Sequence, residues 1–368
     1  MVVQTAVVGA GTVSRTHLSG IQKNPRAELI GLCDTNGSAA NARAREYGTV
    51  AVTDLDRLFE MEPDALHVCT PVQTHFDIAS QAIENGIATI LEKPATVTVD
   101  ELEELDELAD SNDVPLTVVH NHLFYPSVRR ARELIDAGEL GDLRGVDTIY
   151  AGITRPDSVK RGSWVFDLPG GEFEEALPHP IYSTLGIGGF PERADDISAQ
   201  TACSREYDGG FSYDQAQIQF TSADGTLCTT KMLSETKPQR MHVINGSEGS
   251  LIVDEINQSV YRIEDDYTTS PIARSKKGLD LSLSQLSSTV ENATMMASSR
   301  IDGGWEREAK LNSHYAIFDQ FSRAVETGSE VPVPVEQSKW TIQAMEAIRN
   351  AAEGDDIPEQ EQSVAVGH

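Results

Sequence analysis

The first 120 residues alternate short apolar runs with amphipathic stretches, and this rhythm restricts the fold more than any other feature of the chain. Apolar runs stand at TAVVGA (5–10), AELIGLCD (27–34), ALHVCTP (65–71), IATILEKP (87–94) and PLTVVHN (115–121). Between them, residues 15–23, SAANARAREYG (38–48), HFDIASQAIENG (75–86) and VDELEELDELADSN (99–112) carry apolar positions at helical spacing, with Gly48 and Gly86 placed as C-caps. Strands alternating with helices of about 10–15 residues make βαβ units on a parallel sheet. After His120 the rhythm changes. One helix is expected over 127–138, then strands with period-2 alternation over 142–153, 213–222, 225–233, 239–247 and 250–255, and two closing helices over 312–328 and 336–354. Residues 266–305 show no period and are expected to form an irregular excursion or lid, and the last ten residues are expected to be disordered.

A nucleotide site is predicted at the end of the first strand. Gly9-Ala-Gly11-Thr-Val-Ser14 has the spacing of the dinucleotide fingerprint. Gly9 permits the tight turn, Gly11 lets backbone approach a pyrophosphate, and the third position needs only a small side chain, which Ser14 supplies. The following helix start offers free N–H groups to phosphates, so Gly11, Thr12 and Val13 are candidate pyrophosphate contacts. Twenty residues beyond Ser14, Asp34 ends the second apolar run, where a carboxylate would bind ribose hydroxyls. A carboxylate repels a 2′-phosphate, and no basic residue stands nearby before Arg43, so NAD is favoured over NADP. Thr70 and Pro71 close another strand at the edge where open parallel sheets bind ligands, although a plain strand stop reads equally well. The predicted architecture is α/β. A Rossmann-type doubly wound parallel sheet spans 1–121. An α+β domain with a large mixed or antiparallel sheet, for substrate binding and oligomerisation, spans 122–368, and its final helix is expected to pack back on the first.

Charge excludes several partners. Asp and Glu total 58 against 29 Lys plus Arg, a net charge of −29. The acids are spread along the chain rather than gathered in a tail, which favours a surface adapted to high salt over an ordinary acidic cytosolic protein. Such a surface argues against nucleic acid, whose binding runs on phosphate neutralisation. No run of about 18 apolar residues exists to cross a membrane. The first residues run straight into a strand pattern without a basic leader, so a cytoplasmic location is expected. Cys33, Cys69, Cys203 and Cys228 include no CxxC pair and read as small buried hydrophobes in a reducing compartment. No convincing metal-ligand cluster is present.

Glu92-Lys93-Pro94 ends a strand at the nucleotide edge. Only nine lysines occur in the chain. By chemistry alone Lys93 reads equally as a proton-transfer group lowered by burial or as a surface lysine paired with Glu92. The segments GAGTVSRTH (9–17), CTPVQTHFDIASQAIENGIATILEKP (69–94), NHLFYPSVRRARELIDAGELGDL (121–143) and PVPVEQSKWTIQAMEAI (332–348) resemble the Gfo/Idh/MocA oxidoreductases, the group of glucose–fructose oxidoreductase and the inositol dehydrogenases. The resemblance implies that Lys93 is catalytic. Trp164-x-x-Asp167 followed by Gly170-Gly171 and GGEFEEALPHPIY is similar to a second motif of that family, which implies His179 as general acid/base and Glu175 as a substrate-positioning carboxylate. Glu175 stands where the family usually has Asp, and Leu177 and Tyr182 replace Gly and a later Asp, so substrate identity does not carry over. Pro178 and Pro180 argue against one continuous helix through Glu175 and His179, although Pro178 suits a helix start. Asn121 is a candidate contact to the nicotinamide ribose. His75 reads as capping or packing as readily as ligand contact, and Arg155, Lys160 and Arg161 read as surface decoration slightly more readily than as anchors for an anionic substrate group. The resemblance implies an NAD-dependent enzyme moving a hydride between nicotinamide and a sugar-like hydroxyl or keto group, working as a homodimer or homotetramer. An enzyme that retains NAD for transient oxidation in glycoside cleavage, and a non-catalytic NAD-binding regulator, stand as alternatives.

Overall fold

The structure, a computed structural model, describes residues 2–152, 154–263 and 304–354, with scattered positions between 270 and 294. The first half carries β1 (Val3–Val8), α1 (Ser14–Lys23), β2 (Ala27–Cys33), α2 (Gly37–Tyr47), β3 (Val50–Val52), α3 (Leu55–Phe59), β4 (Ala65–Val68), α4 (His75–Glu84), β5 (Ala88–Leu91), α5 (Val99–Asn112) and β6 (Leu116–Val118). All pairings of this sheet are parallel, in the order β3-β2-β1-β4-β5-β6. That is the doubly wound arrangement, whose order reverses between β1 and β4 and so opens a crevice there. β1, β4 and β5 are buried on both faces, which is why they read as continuous apolar runs.

The second half adds α6 (Pro126–Asp136), β7 (Leu143–Ala151), α7 (Gly171–Ala176), α8 (Pro178–Gly188), β8 (Ser198–Ala202), β9 (Gln215–Thr221), β10 (Leu227–Leu233), β11 (Gln239–Gly246), β12 (Ser250–Asp254), β13 (Ser259–Ile263), α9 (Trp305–Leu311), α10 (Ser313–Thr327) and α11 (Val335–Gly354). Its sheet runs β13-β12-β11-β7-β10-β9-β8 and is mixed, because β7 and β10 pair in parallel while every other pair is antiparallel. Strands β9 and β10 alternate buried with less buried residues, so one face packs under α8 and the other stays open. α11 packs against α5 and β6 of the first sheet's layer as well as α8 and β8 of the second. Its Arg349 joins the two halves, bonding the Val97 carbonyl at 2.8 Å and the buried Glu174 carboxylate at 2.8 Å.

The short elements β3, α3, β8 and β13 fall outside the sequence pattern, being too brief or too exposed to print a period. Three of the cysteines are buried as expected, but Cys203 is exposed, on the segment after β8. The expected excursion over 266–305 lies largely outside the described residues; the positions described between 271 and 294 are helical and exposed. The C-terminal ten residues lie outside them too. No helix among the described residues is long and apolar enough to cross a membrane.

α5 begins with a full capping box: the Thr98 hydroxyl accepts from the Glu101 N–H, and the Glu101 carboxylate accepts from the Thr98 N–H. Thr98→Ala is expected to destabilise the fold by about 1 kcal/mol, read from the midpoint of urea unfolding at constant slope.

Candidate active site

The turn after β1 is built as the fingerprint demands. Gly9 has φ +102°, and a Cβ there would lie 2.6 Å from the Cys69 carbonyl at the end of β4, so the loops of the two switch-point strands touch at this glycine. A Cβ on Gly11 would meet nothing within 4 Å, leaving open space above the backbone. No side chain caps α1; the Arg15 and Thr16 N–H groups bond the Thr12 and Val13 carbonyls at 3.3 and 2.9 Å, and Thr12, Val13 and Thr16 line the open space. Ser14 is fully buried and bonds the Gly11 carbonyl at 2.7 Å. The Asp34 carboxylate accepts from the N–H groups of Ala10 (2.7 Å) and Asn36 (2.8 Å), bracing the glycine turn. The Arg43 guanidinium is held by the carbonyls of Ala10 and Gly11 and by Glu46. The open backbone at Gly11, with Thr12, Val13 and Asp34 lining the same space, is a cradle that could hold a dinucleotide.

Every cofactor and catalytic candidate of the sequence lines one cleft of about 610 Å³. Thr70 and Pro71 form its wall after β4, and Glu92 and Lys93 its floor after β5. His75 does not line it. Its ring nitrogens face the carbonyls of Thr70, Pro94 and Ala95 at 2.9–3.1 Å, so it ties the end of β4 to the loop carrying Lys93. Glu92 bonds His17, at 2.8 Å, and His17 in turn contacts His67 at 2.9 Å. Burial raises the Glu92 carboxyl, but the hydrogen bond and charge of His17, with His314 and Lys93, outweigh it and bring it down to about 2.

α7 and α8 are separated by the single residue Leu177, whose backbone stays helical (φ −57°, ψ −37°), with Pro178 at the first position of α8. Glu175 and His179 therefore project into the cleft from either side of the break. The Lys93 ammonium donates to the Glu175 carboxylate and to its carbonyl, the latter at 2.9 Å. Arg161 approaches the other Glu175 oxygen at 2.7 Å and the buried Glu172 at 2.6 Å. Burial pushes the Glu175 carboxyl up, against the pull of Lys93 and Arg161.

His179 is half-buried. Its Nδ1 lies 2.8 Å from the Tyr182 hydroxyl, and its ring stacks on His122 at 4.2 Å between centroids. Burial lowers its pKa well below the usual value, and His122 with the cations Lys93, Arg161 and Arg240 adds to the effect. The imidazole is thus neutral near pH ~7, the form of a general base. Behind it, His122 and His242 both bond the buried Glu255, at 3.0 and 2.8 Å. Asn121 accepts from Tyr182 at 3.1 Å.

Of the residues weighed as surface decoration, Lys160 and Arg161 line the cleft, whereas Arg155 pairs with Asp157 outside it. Trp164 lines it, its Nε1 bonding the Arg161 carbonyl at 2.9 Å; Asp167, from the same motif, is exposed elsewhere. Sequence reasoning missed His122, Arg240 and His314, which also line the cleft. Among the described residues no group of three or more His, Cys, Asp or Glu side chains is arranged so that it could hold a metal ion.

The family of oxidoreductases with an NAD-binding Rossmann fold, Gfo/Idh/MocA, matches residues 3–120, and the Gfo/Idh/MocA C-terminal domain matches residues 128–252. The chain belongs to the Gfo/Idh/MocA family. This NAD-binding oxidoreductase is 25% identical over 282 residues to inositol 2-dehydrogenase of Rhizobium meliloti, covering 74% of this chain and 82% of that one. It is 30% identical over 143 residues to D-glucoside 3-dehydrogenase of Escherichia coli, covering 38% and 41%. Its fold matches that of UDP-N-acetylglucosamine 3-dehydrogenase from Acidithiobacillus ferrooxidans with a TM-score of 0.71 at 20% identity, over 96% of this chain and 99% of that one.

Proposed function

We propose that this Gfo/Idh/MocA oxidoreductase is a dehydrogenase or reductase acting on a hydroxyl or keto group of a sugar, polyol or sugar derivative, with Lys93 and His179 as its catalytic residues and Glu175 as the carboxylate that positions Lys93. The observation that carries the reading is convergence: Lys93, Glu175 and His179, from two separate segments of chain, meet in the cleft that begins at the glycine turn. Relatives named as dehydrogenases of inositol and of glucosides support the substrate class.

NAD, when bound, supplies the hydride acceptor. Its pyrophosphate belongs at Gly11, Thr12 and Val13, its adenosine ribose at Asp34, and its nicotinamide end beside Lys93 and Asn121. His179 takes the hydroxyl proton at Nε2, the ring nitrogen that Tyr182 leaves free. Lys93 donates a hydrogen bond to the same substrate oxygen and opposes the negative charge that grows there. Glu175 and Arg161 fix the ammonium's position. In the reducing direction His179 returns the proton from Nε2 to the substrate oxygen, while Lys93 keeps its hydrogen bond to that oxygen.

The first experiment follows NADH absorbance with NAD and a panel of inositols, aldoses, glycosides and sugar nucleotides, beside a Lys93→Ala chain. Turnover of one substrate class, lost in the variant, is the expected result. Intact NAD binding with silence across the panel would overturn the reading in favour of a retained-cofactor enzyme or a regulator. The reading includes a cytoplasmic enzyme adapted to high salt, with 1–121 as the nucleotide domain and 122–368 as the substrate and assembly domain. It also includes a homodimer or homotetramer joined through the open face of the second sheet. Unchanged folding and activity without salt would sink the halophilic part, and a monomer in light scattering would sink the assembly.

A further inference from the structure

Four cations line the catalytic end of the cleft: Lys93, Lys160, Arg161 and Arg240. Lys93 and Arg161 are matched by the two buried carboxylates Glu175 and Glu172. Lys160 and Arg240 have no carboxylate within ion-pair distance among the described residues. Arg240 lies over the Tyr150 ring, 5.7 Å from its centroid, a contact that orients the guanidinium without cancelling its charge.

The two come from separate segments that topology brings to one edge. Arg240 opens β11 and pairs in register with Tyr150 near the end of β7. The stretch that follows β7 carries Lys160 and Arg161 back over the cleft. A chain of net charge −29 repels anions at large, and the cleft's own carboxylates Glu92 and Glu175 lie beside Lys93, so Lys160 and Arg240 are the cleft cations left without a carboxylate partner among the described residues and open to an anion. A neutral sugar would strip water from both cations and return only uncharged hydrogen bonds; a carboxylate or phosphate returns charge-assisted ones, bidentate to the guanidinium. The pyrophosphate of NAD does not fill this role, because its cradle is at the other end, on Gly11 and the first turn of α1.

We infer that the substrate carries an anionic group, a carboxylate or a phosphate, which Lys160 and Arg240 hold while its reacting hydroxyl lies at His179 and Lys93. The position of the hydroxyl rests on the dehydrogenase reading; the anion site does not.

The test is calorimetric binding to the NAD-loaded protein at one fixed ionic strength, with D-glucuronate, D-glucose 6-phosphate and D-glucose as probes. At least one anionic probe is expected to bind about tenfold or more tighter than glucose, the scale of one charged hydrogen bond. Whichever probe gains tells carboxylate from phosphate. Lys160→Gln with Arg240→Gln is expected to remove the advantage, and Arg240→Lys to retain part of it. Binding of neither anionic probe, equal binding of all three, or an advantage that survives the double substitution would each overturn the inference. NADH formation is followed separately. No turnover of any sugar, with the anion preference intact, would sink the dehydrogenase reading alone; turnover of neutral sugars without that preference would sink this inference alone.

Discussion

Replacing His179 by alanine is expected to lower kcat by about 10²- to 10⁴-fold, the usual worth of a positioned general base, with NAD affinity nearly unchanged in a fluorescence titration. The base form is set by hydrogen-bond accounting around Tyr182. That hydroxyl has one proton, which goes to the Asn121 Oδ1 at 3.1 Å. It also accepts the His122 backbone N–H, at 3.1 Å. The remaining contact, to His179 Nδ1 at 2.8 Å, must then have the imidazole as donor. With Nδ1 protonated and the ring neutral, Nε2 carries the bare lone pair. Tyr182→Phe frees the tautomer and leaves Nδ1–H without its acceptor, so a loss of about tenfold in kcat is expected, one hydrogen bond's worth. The two substitutions together should cost no more in kcat than His179→Ala alone, because the hydrogen bond that Tyr182 accepts from the imidazole is then already lost. Additive losses would show that Tyr182 has a separate role. The lowered pKa of His179 places the acid limb of the kcat/KM profile, which reports the free enzyme, below about pH 6.5, the value of a free imidazole.

The nucleotide half was legible because its determinants are local. A glycine turn, a strand-ending carboxylate and a lysine before a proline each read from a few consecutive residues, and the sheet edge collects them whatever the rest of the chain does. Glu175 and His179 were legible as cleft residues through the second motif, although 82 residues separate Glu175 from the Lys93 it bonds. Arg240 was not. It sits in a strand whose pattern says only which face is buried, and it becomes a cleft residue through the antiparallel pairing of β11 with β7, a register no local signal states. Lys160 and Arg161 looked like decoration because exposed cations in a loop have no period. What distinguishes Arg161 is the buried Glu172 it reaches eleven residues on, and sequence alone shows no reason for that carboxylate to be inside. His122 escaped notice because its partner, Glu255, lies 133 residues away.

The buried histidines predict where the protein fails in acid. His120 is 2% exposed and stacks on Tyr182 at 4.2 Å; burial alone lowers its pKa to about 3. His67 and His122, equally buried, are also lowered, with desolvation as the leading cause. In the unfolded chain each titrates near about 6.5. Below that value the unfolded state binds protons that the native state refuses, so stability is complete above about pH 6.5 and falls as pH drops, until the folded pKa is passed. Each such histidine removes about 1.4 kcal/mol per pH unit in this window. Glu92, depressed to about 2, begins to lose its contribution only below the ordinary carboxylate range, so it adds at the acid end. Urea midpoints are therefore expected to decline from about pH 6.5 downward, well before carboxylate protonation begins near ~4.3. His120→Phe keeps the ring stack and removes one titrating site. Relative to its offset at high pH, the variant is expected to recover about 3 kcal/mol at about pH 4.5. A parallel pair of curves for the two proteins would mean that His120 is protonated in the native state and that burial does not hold it neutral.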